Sequence, residues 1–312
     1  MRIVMMGTPD FAVPSLKALL REKYNVVGVF CQPDRPKGRG HKLAACPVKE
    51  EAVKAGIPVF QPVRIKSPEG LAMLRVLEPD LCVTAAFGQL LSAECLAVPR
   101  FGTINVHASL LPRHRGSAPV HYSIIGGDRE TGVTTMMTDI GMDTGDILLR
   151  ASTRISEDET AETLTRKLSL LGAELLIETI TALRNGTLER TPQDDARATY
   201  EPKLTRETGR IDWSKKAAQI DCLVRGTDPW PGAYTKLGEE TMKVFRVKRV
   251  SGFPEAAPGT VLAADRKDGL VVSCGDGAAE LTEIQMPGQR RMSAKDYLLG
   301  HTIKTGVCLG GD

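Results

Sequence analysis

The first thirty residues constrain the fold most. Residues 2–7 (RIVMMG) and 25–31 (NVVGVFC) are short apolar runs, and the segment between them, residues 10–23, carries its apolar side chains at helical spacing. Strand, helix, strand predicts a parallel pair joined by a right-handed crossover. The alternation continues with helical patterns at 48–55 and 69–77, an apolar run at 81–86, a short helix near Ala93 and a strand ending at His107. This is the signature of an α/β domain with a mostly parallel sheet. Its later part departs from the pattern, because the runs 133–137 and 147–154 are separated only by a glycine-containing turn, as adjacent antiparallel strands would be. A long helical pattern from 160 to 183 follows, with Asn185-Gly186 as its stop signal.

At 312 residues the chain is long for one core and suits two domains. Residues 187–209 contain few apolar side chains and include Pro192, Asp194, Asp195 and Pro202, the composition of an ordered linker. After a helical pattern at 212–225, the segments 234–237, 242–250, 259–264, 270–274 and 280–286 read as short strands between Gly and Pro turns, the pattern of a small β-barrel. The expected division is therefore a first domain over 1–186, a linker over 187–209 and a second domain over 210–312.

A hydrophobic content of 42% and a charged content of 25% are those of an ordinary soluble globular protein. No run of about 18 apolar residues occurs and no signal-peptide pattern opens the chain, so a cytoplasmic protein without membrane contact is expected. The seven cysteines form no C-x-x-C pair, which argues against a zinc ribbon, and an odd count argues against a disulfide framework.

Net charge is only +3, but its distribution is uneven. From Lys203 onward there are 17 Lys and Arg against 14 Asp and Glu, and the first 202 residues balance at 24 against 24. One local exception lies at 34–49, where Arg35, Lys37, Arg39, Lys42 and Lys49 face a single acid, Asp34. There Gly and Pro alternate with cations, a composition with two readings: a solvated flexible loop, or a segment mobile alone that orders on a phosphate backbone. In the second domain, Lys243, Arg246, Lys248 and Arg249 lie on one expected strand with no acid between them. Two readings fit: an electrostatic track for RNA, or a solvated strand edge blunted by cations.

The chemistry concentrates in Asn105-Val-His107-Ala-Ser109-Leu-Leu-Pro112 and, downstream, Gly141-Met-Asp143-Thr-Gly145-Asp146. A strand ending at His107 projects Asn105 and His107 on one face. Asp143 lies in a Gly-flanked turn after a second β-like run, from which it would reach the same sheet edge. An amide, an imidazole and a carboxylate with no Ser or Cys nucleophile motif suit the stabilisation of an oxyanion and the movement of protons while the substrate supplies the nucleophile. No G-x-G-x-x-G or G-x-x-x-x-G-K-[ST] occurs, which argues against a dinucleotide or P-loop enzyme. His107, His114 and His121, seven apart, fit no zinc pattern, so no metal is expected.

The N-x-H, the S-L-L-P behind it and the later Asp together resemble the catalytic core of the folate-dependent formyltransferases. Gly7-Thr-Pro-Asp-Phe-Ala12, Gln32-Pro-Asp-Arg-Pro36 and Pro229-Trp-Pro231 extend the resemblance over essentially the whole chain. It implies a Rossmann-like formyltransferase domain followed by an OB-like β-barrel. It also implies transfer of the formyl group of 10-formyltetrahydrofolate to the α-amine of methionine charged on initiator methionyl-tRNA. Asn105, His107 and Asp143 would then be the catalytic set. Ser109, Leu110, Leu111 and Pro112 would hold the folate, or else form a strand exit whose leucines fill core. Phe87 and Gly88 would line the pterin pocket, although small residues there equally serve close packing. Arg35, Lys37, Arg39 and Lys42 would enter the acceptor end of the tRNA, Arg39 foremost, with Lys243, Arg246, Lys248 and Arg249 along its backbone. A small-molecule acceptor would need neither basic element. A monomer is expected.

Overall fold

The computed structural model describes residues 1–37 and 42–310. The chain divides into two compact units, one of Met1–Pro119, Glu130–Arg154 and Thr165–Glu201, the other of Val120–Arg129, Ile155–Leu164 and Pro202–Asp312.

In chain order, the elements up to residue 201 are β1 (Arg2–Gly7), α1 (Val13–Arg21), β2 (Asn25–Phe30), β3 (Arg35–Lys37), β4 (Lys42–Ala44), α2 (Pro47–Lys54), β5 (Val59–Phe60), α3 (Pro68–Val76), β6 (Leu81–Ala85), α4 (Ala93–Leu96), β7 (Thr103–His107), β8 (Arg115–Gly116), α5 (Pro119–Ile125), β9 (Glu130–Met137), β10 (Ile147–Arg154), α6 (Ala161–Asn185) and β11 (Tyr200–Glu201). The main sheet runs β10-β9-β7-β6-β1-β2-β5. β1 is parallel to both β2 and β6, and β6 to β7, whereas β7 to β9 and β9 to β10 are antiparallel. The expected mostly parallel α/β sheet with its antiparallel departure is thus what forms.

Burial explains the strand composition. Ile3, Val4, Met5 and Met6 of β1 are all inaccessible to solvent, as a central strand covered on both faces requires. The amphipathic α1 buries Leu16, Ala18 and Leu19, and Pro14 stands in its first turn, where a missing N–H costs nothing. Two glycines set close approaches that position the site. A side chain on Gly7 would press on Ala12 at 2.6 Å and on the Ala85 carbonyl at 3.0 Å, so glycine lets the end of β1 meet the end of β6. A side chain on Gly172 of α6 would meet Val106 and Val133, so this helix lies directly on β7 and β9.

The basic segment is framed rather than loose. β3 and β4 pair as an antiparallel hairpin with Lys37 opposite Lys42, and its base is tied down where Lys49 Nζ meets Asp34 at 2.6 Å and Gln61 donates to the other Asp34 oxygen at 2.8 Å. The tip, residues 38–41 with Arg39, lies outside the described residues.

The second unit adds α7 (Ala217–Thr227), β12 (Ala233–Leu237), β13 (Glu240–Val250), β14 (Val261–Asp265), β15 (Gly269–Cys274), β16 (Gly277–Gln285), β17 (Met292–Ser293) and α8 (Ala294–Gly300). Its antiparallel sheet runs β12-β13-β16-β15-β14, with β17 also on β16, and wraps a core that includes Trp213, Met242, Leu270, Leu281 and Ile284. This is the barrel-like domain that the strand pattern implies. The edge strands are linked by the chain terminus. Val261 N–H donates to the Val307 carbonyl and Gly306 N–H returns to Val261, each at 2.8 Å, on the β14 side, and Gly310 N–H donates to Lys236 of β12 at 2.9 Å. Composition does not reveal this seal, because it consists of backbone bonds on a Gly-rich tail. α7 starts five residues later than its apolar pattern does, because the Asp212 carboxylate accepts from both N–H and O–H of Ser214 and holds a turn there.

No helix among the described residues is long and apolar enough to cross a membrane. Leu309 in the sealing tail is buried against the barrel core. Leu309→Ala is expected to destabilise the second unit by about 2–4 kcal/mol, read as a lower midpoint of urea unfolding for that unit; an unchanged midpoint would show that the tail merely decorates the barrel.

Candidate active site

Asn105 and His107 stand on β7, two residues apart and therefore on one face of the strand. The neighbouring β6 sets the Asn105 side chain. Thr84 is the register partner of Asn105, and its hydroxyl donates to Asn105 Oδ1 at 2.9 Å. With the oxygen engaged, the Nδ2 amide group is turned away from Thr84 and makes no hydrogen bond among the described residues.

His107 is buried. Its Nε2 lies 2.9 Å from the main-chain carbonyl of His114, which can only accept, so Nε2 carries a proton. The other ring nitrogen, Nδ1, faces Asp143 Oδ1 at 3.6 Å. Proton exchange at this imidazole is therefore confined to Nδ1, on the Asp143 side. His114 is itself fixed, its N–H on Thr199 Oγ1 and its ring on the Glu201 carboxylate, both at 2.7 Å.

Asp143 reaches this position by an indirect route. Met137 ends β9 opposite Ile104, and Thr138 N–H donates to the Thr103 carbonyl, so the turn leaves the sheet at the far end of β7 from His107. Four residues of strand, about 13 Å, separate Thr103 from His107. The turn must fold back, and several contacts hold it there. Within it, Asp139 accepts from Gly141 N–H and from the Thr144 hydroxyl. From outside, Gly116 N–H donates to Asp143 Oδ2 at 2.8 Å, and Gln193 Nε2 donates to the carbonyls of Asp143 and Gly145 at 2.8 and 2.7 Å. Asp143 takes a left-handed backbone (φ 57°), which aspartate tolerates better than most side chains.

Behind Gln193 lies a guanidinium with no solvent exposure, that of Arg115. It donates to Gln193 Oε1 from Nε and Nη2 at 3.0 and 2.8 Å, to Asp195 at 2.8 Å and to the Tyr200 hydroxyl at 2.7 Å. Burial works against its charge, but Asp195 and Tyr200 outweigh burial and hold the Arg115 proton more firmly than usual.

The remaining residues singled out from the sequence fall into two groups. The first is structural in its side chains. Ser109 is fully buried with its hydroxyl on the Arg113 carbonyl at 2.6 Å, and Leu111 packs in a small core with Met136 and Ile147. Leu110 lies over Gly132, where any larger residue would displace it. The Thr134 hydroxyl links the Ser109 carbonyl to the Leu111 N–H across the same loop, and a cis bond precedes Pro112. Leu110 and Pro112 are half-buried, so beyond its backbone the segment keeps these two side chains partly exposed. Phe87 is likewise buried, its carbonyl receiving the Thr8 hydroxyl and the Gln32 amide, and Gly88 beside it has a positive φ of 78°.

The second group is exposed. Arg35 is on the surface of the hairpin, while Lys37 and Lys42 are known here by backbone only. On β13, Arg246 and Arg249 make loose pairs with Glu283 and Asp276 at 3.9 and 3.8 Å, and the exposed Lys243 and Lys248 make no ion pair among the described residues. Trp230, in the Pro229-Trp-Pro231 motif, is 55% exposed. No cluster of His, Cys, Asp or Glu suited to a metal occurs among the described residues.

Thr84, Arg115 and Gln193 escaped the sequence reading. Thr84 is an ordinary strand residue, and Gln193 sits in a stretch whose composition suggests a linker. Only Arg115 had a local signal, as a cation inside the Pro112-Arg-His-Arg-Gly116 exit from the strand.

The family model described as formyl transferase matches residues 1–180, and that of the formyl transferase C-terminal domain matches 203–302. The chain is 51% identical over 312 residues to the methionyl-tRNA formyltransferase of Ruminiclostridium cellulolyticum, covering 99% of this chain and 100% of that protein. It is 50% identical over 310 residues to that of Citrifermentans bemidjiense, covering 99% and 96%. Among solved structures it is similar to HypX from Aquifex aeolicus in complex with tetrahydrofolic acid, at 18% identity and a TM-score of 0.64, over 96% of this chain but about half (47%) of HypX. It is also similar to WlaRD, a sugar 3N-formyl transferase, at 18% identity and a TM-score of 0.65, over 93% of this chain and 99% of that one. At such identity the two structures speak for the fold alone. The oriented amide, the one-sided imidazole and the facing carboxylate thus sit in a chain whose whole length is matched, and it belongs to the formyl transferase family.

Proposed function

We propose that this chain transfers the formyl group of 10-formyltetrahydrofolate to the α-amino group of methionyl initiator tRNA, giving N-formylmethionyl-tRNA and tetrahydrofolate. The observation that carries the chemistry is the pairing of a free Asn105 amide with a His107 whose only exchangeable nitrogen faces Asp143. The acceptor rests on full-length identity of about one half to proteins named methionyl-tRNA formyltransferase.

In the transfer, the amine nitrogen bonds to the formyl carbon and the carbonyl electron pair moves to oxygen. Asn105 Nδ2 donates to that oxyanion, a contact worth roughly 3–4 kcal/mol when it is preorganised. The attacking amine, cationic after attack, loses its proton to the His107–Asp143 pair through Nδ1 or through Asp143 itself. The same pair returns a proton to the folate nitrogen as the C–N bond breaks, so no net proton is left on the protein. For the folate, we assign the backbone of 109–112 and the 86–88 corner, with Phe87 as buried support. For the tRNA, we assign Arg35, Lys37, Arg39 and Lys42 of the hairpin, and Lys243, Arg246, Lys248 and Arg249 of β13. Residues 1–186 then carry the catalytic domain and 210–312 the RNA-binding domain, with 187–209 between them, of which the part up to Glu201 belongs to the first compact unit.

The reading is tested first by offering initiator Met-tRNA, elongator Met-tRNA and an amino-sugar nucleotide with 10-formyltetrahydrofolate. Preferential formylation of the initiator species is expected; formylation of the sugar nucleotide alone would remove the tRNA assignment and leave the core chemistry. Asn105→Ala should lower kcat about 10²–10³-fold with little change in folate KM. Thr84→Val, which frees the Asn105 amide to rotate, should cost roughly tenfold in kcat; an unchanged rate would mean that Thr84 does not orient it. Lys243→Glu combined with Lys248→Glu should raise KM for tRNA about tenfold near 0.1 M salt and flatten its salt dependence by roughly two charges. Unaltered tRNA kinetics across salt would take β13 out of the RNA surface.

A further inference from the structure

We propose that Gln193, held by the buried Arg115, is a positioning residue for Asp143, which makes residues 191–201 part of the catalytic apparatus rather than a connection. The inference rests on the role assigned above to the His107–Asp143 pair.

Three observations carry it. First, the Asp143 turn starts at the wrong end of β7 and has to be drawn back toward His107, so its position depends on contacts from outside the turn. Second, the Gln193 amide is fully used. Both N–H groups go to turn carbonyls, those of Asp143 and Gly145, and its oxygen takes two N–H donors from Arg115. Reversing the amide would set oxygen against carbonyls and NH2 against a guanidinium, so only one orientation is possible. Third, the anchor is a charge with no solvent exposure. Burying a guanidinium carries a desolvation cost that a hydrophobic residue of similar volume would not incur. Here that cost is offset by bonds to Asp195, Tyr200 and Gln193, and the arrangement yields an amide held on two sides.

The same strand pair holds the carboxylate end. Arg115 N–H donates to the Thr199 carbonyl at 2.8 Å, and the next residue, Gly116, pairs with Glu201 and gives its N–H to Asp143 Oδ2. A side chain on Gly116 would collide with the Glu201 carbonyl, and its φ is 110°. β8, β11 and Gln193 thus grip Asp143 at both its carboxylate and its carbonyl. Thr191 adds a two-way backbone bridge to Ile147, where the turn rejoins β10, at 2.8 and 2.9 Å.

The test uses the full-length enzyme with two substitutions. Gln193→Glu keeps the oxygen that accepts from Arg115 but sets the other carboxylate oxygen against the Asp143 and Gly145 carbonyls, which releases the turn without emptying the site. Gln193→Met removes the hydrogen bonds at similar volume and adds no titrating group. For both, kcat should fall about 30-fold or more while KM for folate and for tRNA stays within about twofold and Tm within a few degrees. In Gln193→Met, the limb of the pH–rate profile set by the His107–Asp143 pair should move by about half a pH unit or more. Without any substrate, the Gly116 amide should exchange with solvent about tenfold faster in both variants. A kcat within about threefold of wild type with an unmoved pH profile overturns the proposal, as does a loss of rate matched by a loss of folded protein in both variants. Because the Gly116 exchange needs no acceptor, it reports on the clamp even if initiator Met-tRNA proves not to be the substrate.

Discussion

A nine-residue turn folded back along a strand is the arrangement on which the rest of the candidate site depends. Antiparallel pairing of β9 with β7 delivers residues 138–146 beside Thr103, whereas the imidazole they must meet is at the other end of the strand. The distance is closed by the Gly116 N–H on the Asp143 carboxylate, by the two Gln193 hydrogen bonds to the backbone of the turn, and by the internal cap that Asp139 provides. Backbone contacts tolerate side-chain variation on the turn itself, and Ile140 and Met142 on it are both exposed. The chemistry therefore resides in one carboxylate carried on a mobile type of element, made rigid from outside.

Proton accounting at His107 follows from an equally local constraint. The His114 carbonyl has no proton to give, so it commits Nε2 to donation and leaves Nδ1 as the only nitrogen that changes state. The carbonyl is in place because His114 itself is tied to Thr199 and Glu201, residues that also belong to the segment reaching back from α6. One stretch of chain, 191–201, thereby orients both the imidazole and the carboxylate. Its polar composition is what a fully engaged hydrogen-bonding strap requires, and it resembles a linker only when its partners are unknown.

The second unit solves a different problem. An antiparallel sheet of this order has two open edges, β12 and β14, which invite pairing with other chains. The terminal segment covers them by donating to both and accepting from β14, with Leu309 seated in the core as an anchor. On β13, an interior strand between β12 and β16, the exposed Lys243 and Lys248 stay free of acidic partners among the described residues.

How far the sequence alone reached can be judged residue by residue. The strands of the first sheet other than β5, and the five long strands of the second, were legible because each is an apolar run whose burial is decided locally, by period and by flanking Gly or Pro. Asn105 and His107 were legible because a spacing of two fixes a common face wherever the strand goes. Asp143 was legible as a residue but not as a position, since its approach to His107 from the far end of β7 depends on register. Ser109 and Leu111, legible as a motif, turn their side chains into the protein, and only the fold distinguishes a backbone contribution from a side-chain one. Thr84, Arg115 and Gln193 were not legible. Their partners lie 21 to 85 residues away, and a hydrogen bond across such a separation leaves no trace in local composition. Sequence by itself determined the elements, the chemical groups and the family; tertiary structure decided which groups face one another, because that depends on strand register and long-range polar contacts that no local pattern encodes.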